Sequence, residues 1–203
     1  MGKLPPAGPL SGGEPYTNEQ FGVFIENGAN GFELQENQFV KIQDNVEYAF
    51  GSYCQNLGWF SNDVRRNTYT NVNFGNLADE DNATAVPNRG LNYLCNTNLT
   101  QLYDFYVFPG GDIRQTQGLE ITTPSGITLD AAGNTFTKVN APDGDFDNNG
   151  PQVEYYHSFQ GKPLFSSGLT FELALDNGCE SDFCLPPCRE QGEWATMKAE
   201  YTN

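Results

Sequence analysis

More than a quarter of this chain consists of residues that turn or break regular structure: 22 Asn, 22 Gly and 12 Pro among 203 residues. A chain so punctuated turns often, and its regular elements are short. The remaining Phe, Tyr, Thr and Val favour pleated strands over helices. These two facts predict an all-β fold, an antiparallel sandwich or jelly-roll-like domain with long polar loops. No repeat of fixed period and no heptad is visible.

The order of apolar runs divides the chain into three parts. Residues 1–18 hold Pro5, Pro6, Pro9 and Pro15 with little to bury, and read as an extended arm. Residues 19–178 form the β domain. Residues 179–203 carry three of the five cysteines and read as an irregular tail. Within the domain, Phe21–Ile25 and Phe32–Gln35 flank Asn27-Gly28, a dipeptide that favours positive φ, so the two runs suggest strands joined by a tight connection. Leu102–Phe108 is the most apolar run and fits a buried strand. Leu119–Thr122, Ile127–Leu129 and Thr135–Val139 read as a meander. Leu169, Phe171, Leu173 and Leu175 alternate with Thr170, Glu172 and Asp176, which puts the apolar set on one face. Between about 56 and 98 lies a stretch with ten of the 22 Asn from Asn62 to Asn98. It reads as a long polar excursion between strands.

Charge limits the partners. Ten Lys and Arg against 26 Asp and Glu give a net charge of −16, and only Arg65 and Arg66 are adjacent. That balance excludes a nucleic-acid clamp and disfavours an anionic membrane surface. No run approaches the ~20 apolar residues of a membrane helix. Met1–Pro6 lacks the apolar core of a signal peptide.

Three groups of residues are candidates for chemistry. Asp143, Asp145, Asp147, Asn149 and Glu154 occupy positions 1, 3, 5, 7 and 12 of a pattern that resembles an EF-hand-type Ca²⁺ loop, over twelve residues only. Hard Ca²⁺ needs oxygen ligands converging from a curved loop. The pattern departs at Asn148, where glycine is usual, and its flanks are not helical. An acidic turn is the preferred reading, with Ca²⁺ the one cofactor suggested and none required. Tyr53, Trp59 and Phe60 are rings with amide neighbours, the arrangement that would hold a sugar. His157 is the sole histidine, and it sits in a strand with no nucleophile elbow around it. Two Asn-x-Thr triplets, at Asn82 and Asn98, are of the kind that arises by chance in such a chain. Free buried thiols are preferred for the five cysteines.

The expected role is therefore that of a non-enzymatic structural subunit: a virus or phage particle component, such as a capsid-associated, decoration, collar or tail protein. Its partners would be copies of itself or other subunits. The alternative is an extracellular carbohydrate- or Ca²⁺-binding β-sandwich.

Overall fold

In the computed structural model, Asn27 and Gly28 have positive φ, 52° and 80°, but the chain does not fold back there. It turns a corner. Strand β1 (Glu19–Glu26) pairs not with β2 (Glu33–Gln35) but with β4 (Tyr48–Gln55), and the pairing is parallel. The structure describes residues 19–42, 48–58, 60–84, 89–123, 126–137, 144–159, 161–164, 166–174 and 179. The expected arm 1–18 and the tail beyond Cys179 lie outside them.

The same step repeats down the chain. The first coil comprises β1, β2 and β3 (Gln38–Val40). The second comprises β4, β5 (Asn62–Arg65) and β6 (Thr68–Thr70), and the third β7 (Phe74–Asp79), β8 (Leu91–Leu94) and β9 (Thr97–Leu99). Then come β10 (Tyr103–Val107), β11 (Thr116–Gln117), β14 (Gly144–Asn148), β15 (Val153–His157), β16 (Ser166–Ser167) and β17 (Leu169–Leu173). Each strand pairs in parallel with the one a coil later. The sheets run β1-β4-β7-β10-β14-β16, β2-β5-β8, β3-β6-β9 and β11-β15-β17. This is a parallel β-solenoid, a stack in which each coil touches chiefly its neighbours. The antiparallel sandwich or jelly roll expected from the sequence is overturned, although the chain is all-β. Among the described strands, the one antiparallel pair is β12 (Leu119–Thr123) with β13 (Gly126–Asp130). It is the first half of the expected meander. Thr135 joins the solenoid instead, through a parallel bridge to Thr97.

Two local devices build the coil. One is a corner made of a left-handed residue followed by asparagine. Glu36, Arg66, Cys95 and Gly133 have φ of 60°, 54°, 57° and 70°, and Asn37, Asn67, Asn96 and Asn134 follow them. These amides form a ladder. The Asn37 backbone N–H donates to Asn67 Oδ1 at 3.0 Å, that of Asn67 to Asn96 Oδ1 at 3.0 Å, and that of Asn96 to Asn134 Oδ1 at 2.8 Å. The Nδ2 groups of Asn67 and Asn96 donate to the Leu34 and Val64 carbonyls, each at 2.8 Å. Corners have backbone groups with no ladder partner, and a buried one is costly. The asparagines supply the missing partners.

The other device is an aromatic residue followed by glycine. Phe21-Gly22, Phe50-Gly51 and Phe74-Gly75 lie in register along the first sheet. A Cβ at Gly22 would overlap the Phe39 ring, and one at Gly51 the Tyr69 ring. Phe39 and Tyr69 stack at 5.1 Å. The rings carried by β3 and β6 fill the space that the glycines leave.

Polarity in the region 56–98 thus has a different meaning from the one expected. It is not a solvated excursion but the second and third coils. Eight of the ten asparagines from Asn62 to Asn98 are buried: 62, 67, 73, 76, 82, 92, 96 and 98. Both Asn-x-Thr asparagines, Asn82 and Asn98, are among them, so neither is open to a glycosylating enzyme in the folded chain.

The interior joins Cys54, Val64, Ala78, Leu91, Phe105 and Phe146 with their neighbours. Cys95 and Cys179 form a disulfide that closes a loop of sequence separation 84, which corrects the preference for free thiols. Cys54 is a free buried thiol, with burial raising its pKa to about 12. The disulfide ties the third corner to the segment after β17. Measured disulfide contributions centre on about 3 kcal/mol, below the full loop-closure value for so long a loop, and Cys179→Ser is expected to lower stability by that amount, read as a fall in the urea midpoint. A midpoint unchanged by the substitution, with the bond confirmed in the parent by mass spectrometry, would contradict this.

Candidate functional site

Side chains on β1, β4, β7 and β10 divide between two faces. Ile25, Cys54, Ala78 and Val107 join the interior cluster with residues of β5 and β8. Phe50, Tyr53, Phe74, Leu77, Tyr106 and Phe108 form a separate cluster to which the other sheets contribute nothing. They stand on the outer face of the first sheet. Along it, Phe21, Phe50, Phe74 and Tyr103 stack ring on ring. Their centroids are 4.9, 5.2 and 5.5 Å apart and the interplanar angles are 16°, 24° and 16°. Phe24 and Tyr53 begin a second column at 4.9 Å. Stacking buries both faces of Phe50 and Phe74. Phe21, on the first coil, has a neighbour on one face, and it is 40% exposed, with Phe24 at 43%.

The first coil is open in two further ways. Its three strands each pair on one edge, with β4, β5 and β6. Asn37 Oδ1 occupies the place in the ladder where Asn67, Asn96 and Asn134 each accept a backbone N–H, and among the described residues no donor reaches it. Among the described residues, the backbone, the aromatic column and the amide ladder therefore all end unmatched on the same rung. The rung is acidic, with Glu19, Glu26, Glu33 and Glu36 against Lys41. In the coil behind it, Arg66 reaches Glu36 at 4.0 Å.

The residues singled out from the sequence fall elsewhere. Tyr53 is buried in the outer aromatic cluster, where its hydroxyl donates to Asp79 Oδ2 at 2.9 Å. Burial first, and the Asp79 carboxylate second, raise its pKa. Its ring neighbours are Phe21, Phe24, Phe50 and Phe108, not Phe60. Phe60 is exposed ahead of β5, and Trp59 lies outside the described residues. A sugar platform needs an exposed ring face, and Tyr53 is 1% exposed.

Asp143 is also outside the described residues. Asp145 and Asp147 lie on strand β14 rather than on a curved loop. Asp145 is fully buried and accepts the Leu164 N–H at 2.6 Å, while Asp147 accepts the Ser167 hydroxyl. Asn149 Nδ2 donates to the Val107 carbonyl at 3.1 Å, and Glu154, on β15, accepts the Tyr156 hydroxyl at 3.2 Å. Among the described residues no group of three acidic, His or Cys side chains is placed to share an ion. His157 is nearly buried, packs on Phe171 at 5.8 Å and has Nδ1 at 2.8 Å from the Ser158 carbonyl oxygen.

Two buried charges escaped the sequence reading. Arg114 is held by Glu120 at 3.2 Å and fastens the corner before the β12–β13 hairpin. Asp104 occupies the row of Gly22, Gly51 and Gly75, with Asp145 opposite it on β14. Its carboxylate accepts the Thr100 hydroxyl, the Thr137 hydroxyl and the Thr137 N–H, each at 2.6 Å. Burial nevertheless raises its pKa from 3.8 to about 6, and Asp145 adds to the rise. The folded state then holds this proton more tightly than the unfolded chain. The stability it contributes is complete below pH 3.8 and is lost as pH rises through 6. Asp104→Asn keeps an acceptor for Thr137 N–H and removes the charge. The variant is expected to gain on the order of 2 kcal/mol over the parent at pH 7.5 relative to pH 4. Urea unfolding of both at the two pH values checks it, and an unchanged difference would count against the assignment.

No family model matches the chain, and no curated protein or solved structure matches it. No helix among the described residues is long and apolar enough to cross a membrane.

Proposed function

We propose that the chain is a non-enzymatic structural module of a larger assembly, on a virus or phage particle or in another extracellular structure. The observation that supports this reading is the open first coil, where three stacking systems end together. Solenoids that stop in solution carry a polar cap over such an end. A coil that exposes Phe21 and Phe24, and whose strands pair on one edge among the described residues, is suited to being continued. The Cys95–Cys179 disulfide favours an oxidising environment over a reducing cytosol. Sedimentation of the native source should place the chain in a high-mass fraction with other proteins in fixed ratio. Recovery solely as free single chains would overturn the proposal.

A further inference from the structure

We infer that the first coil receives a β-coil of a different polypeptide, one with aromatic residues in the Phe21 and Phe24 columns and basic residues along its rim. The inference rests on the structural role proposed above and names the partner's chemistry.

Geometry defines what fits. The incoming strand lies parallel to β1 and continues its backbone ladder, a β-augmentation. It sets a ring on the free face of Phe21, as Phe21 itself sits on Phe50 at 4.9 Å. A backbone N–H of its corner reaches Asn37 Oδ1, as Asn37 reaches Asn67 Oδ1.

Charge then selects among occupants. A second copy meeting the same end would set the exposed Glu26, Glu33 and Glu36 against their own counterparts, and like charges on adjacent strands destabilise. A second copy joined head to tail would bring no ring from its described strands, because in the first sheet Asp147 and Ser167 follow Tyr106 in the column that Phe24 begins. Residues 1–18 contain no aromatic–glycine pair, and Pro5, Pro6, Pro9 and Pro15 lack the N–H that a paired strand donates. The coil behind the first one indicates what the rim accepts, since it offers Arg66 to Glu36. A basic coil on the open side satisfies the same carboxylates.

The test uses the full chain and a labelled eight-residue peptide with the sequence of β1, Glu19–Glu26, in which lysine replaces both glutamates. Fluorescence anisotropy should show saturable binding that weakens about tenfold or more between 50 and 500 mM salt. The unsubstituted β1 peptide should bind at least about tenfold more weakly, and Phe21→Ala, with its far-ultraviolet spectrum unchanged, should reduce binding of the lysine peptide by a similar factor. Absence of saturable binding, equal binding of the two peptides, or binding indifferent to Phe21→Ala would overturn the inference. So would a dimer of the chain abolished by Phe21→Ala, because the occupant would then be a second copy. A failed peptide with the chain still found in a high-mass fraction defeats the partner assignment alone. Recovery as free chains defeats the structural reading itself.

Discussion

Asn96→Ala is expected to cost about 4 kcal/mol, more than an ordinary polar-to-alanine change. Asn96 lies in the middle of the corner ladder and is buried. Its Oδ1 accepts both the N–H and the Nδ2 of Asn67, and its Nδ2 donates to the Val64 carbonyl and to Asn134 Oδ1. Alanine strands the Asn67 N–H in the interior, at a cost of about 1–3 kcal/mol, and removes the amide that also bonds Val64 and Asn134, leaving a polar-lined gap in its place. Asn96→Asp is expected to fail as well. It keeps the acceptor but sets a carboxylate against the Val64 and Asn134 oxygens, 2.8 and 3.2 Å from the present Nδ2. Chemical denaturation measures both. A loss below 1 kcal/mol for the alanine variant would show that the ladder is dispensable.

Gly51→Ala should be nearly as damaging, although it adds a single methyl group. The new Cβ would overlap the Tyr69 ring and lie 2.6 Å from the Gly75 carbonyl oxygen. Tyr69 has little room to yield: it stacks on Phe39 and donates its hydroxyl to Ser52 Oγ at 3.2 Å. Overpacking of a filled interior costs about 3 kcal/mol at the upper end of its usual range. Part of the loss belongs to the ring. Combining Gly51→Ala with Tyr69→Ala should therefore cost at least about 1 kcal/mol less than the two changes added separately. Strict additivity would place the strain elsewhere.

Both residues explain why the sequence was legible in parts. Strand positions were readable where apolar residues cluster or alternate, as in Tyr103–Val107 and Leu169–Leu173, because burial on one face leaves a local period of two. Pairing direction was not readable, because alternation is the same for parallel and antiparallel neighbours. The Asn-rich region misled for a definite reason. Asparagine usually marks solvated turns, whereas here its amide substitutes for backbone partners inside a corner. A signal was nevertheless present. Phe21-Gly22, Phe50-Gly51 and Phe74-Gly75 recur, as do Asn37-Gln38, Asn67-Thr68, Asn96-Thr97 and Asn134-Thr135, but at unequal spacings that a search for a fixed period passes over. The open coil left no such trace. Phe21 and Phe24 read as core residues until the stack shows that nothing described lies beyond them.

The β12–β13 hairpin gives those unequal spacings a wider meaning. Asn96 and Asn134 are adjacent rungs, yet the chain between them is long enough to form the Leu119–Asp130 hairpin, a two-stranded sheet separate from the stacked ladders. Since the corners set the register, added sequence between them is extruded rather than absorbed. The site is accordingly a natural graft point. An epitope or small domain inserted between β12 and β13 should be displayed at a fixed height along the solenoid, and lineages carrying this architecture would be free to vary there while the coils beneath stay in step.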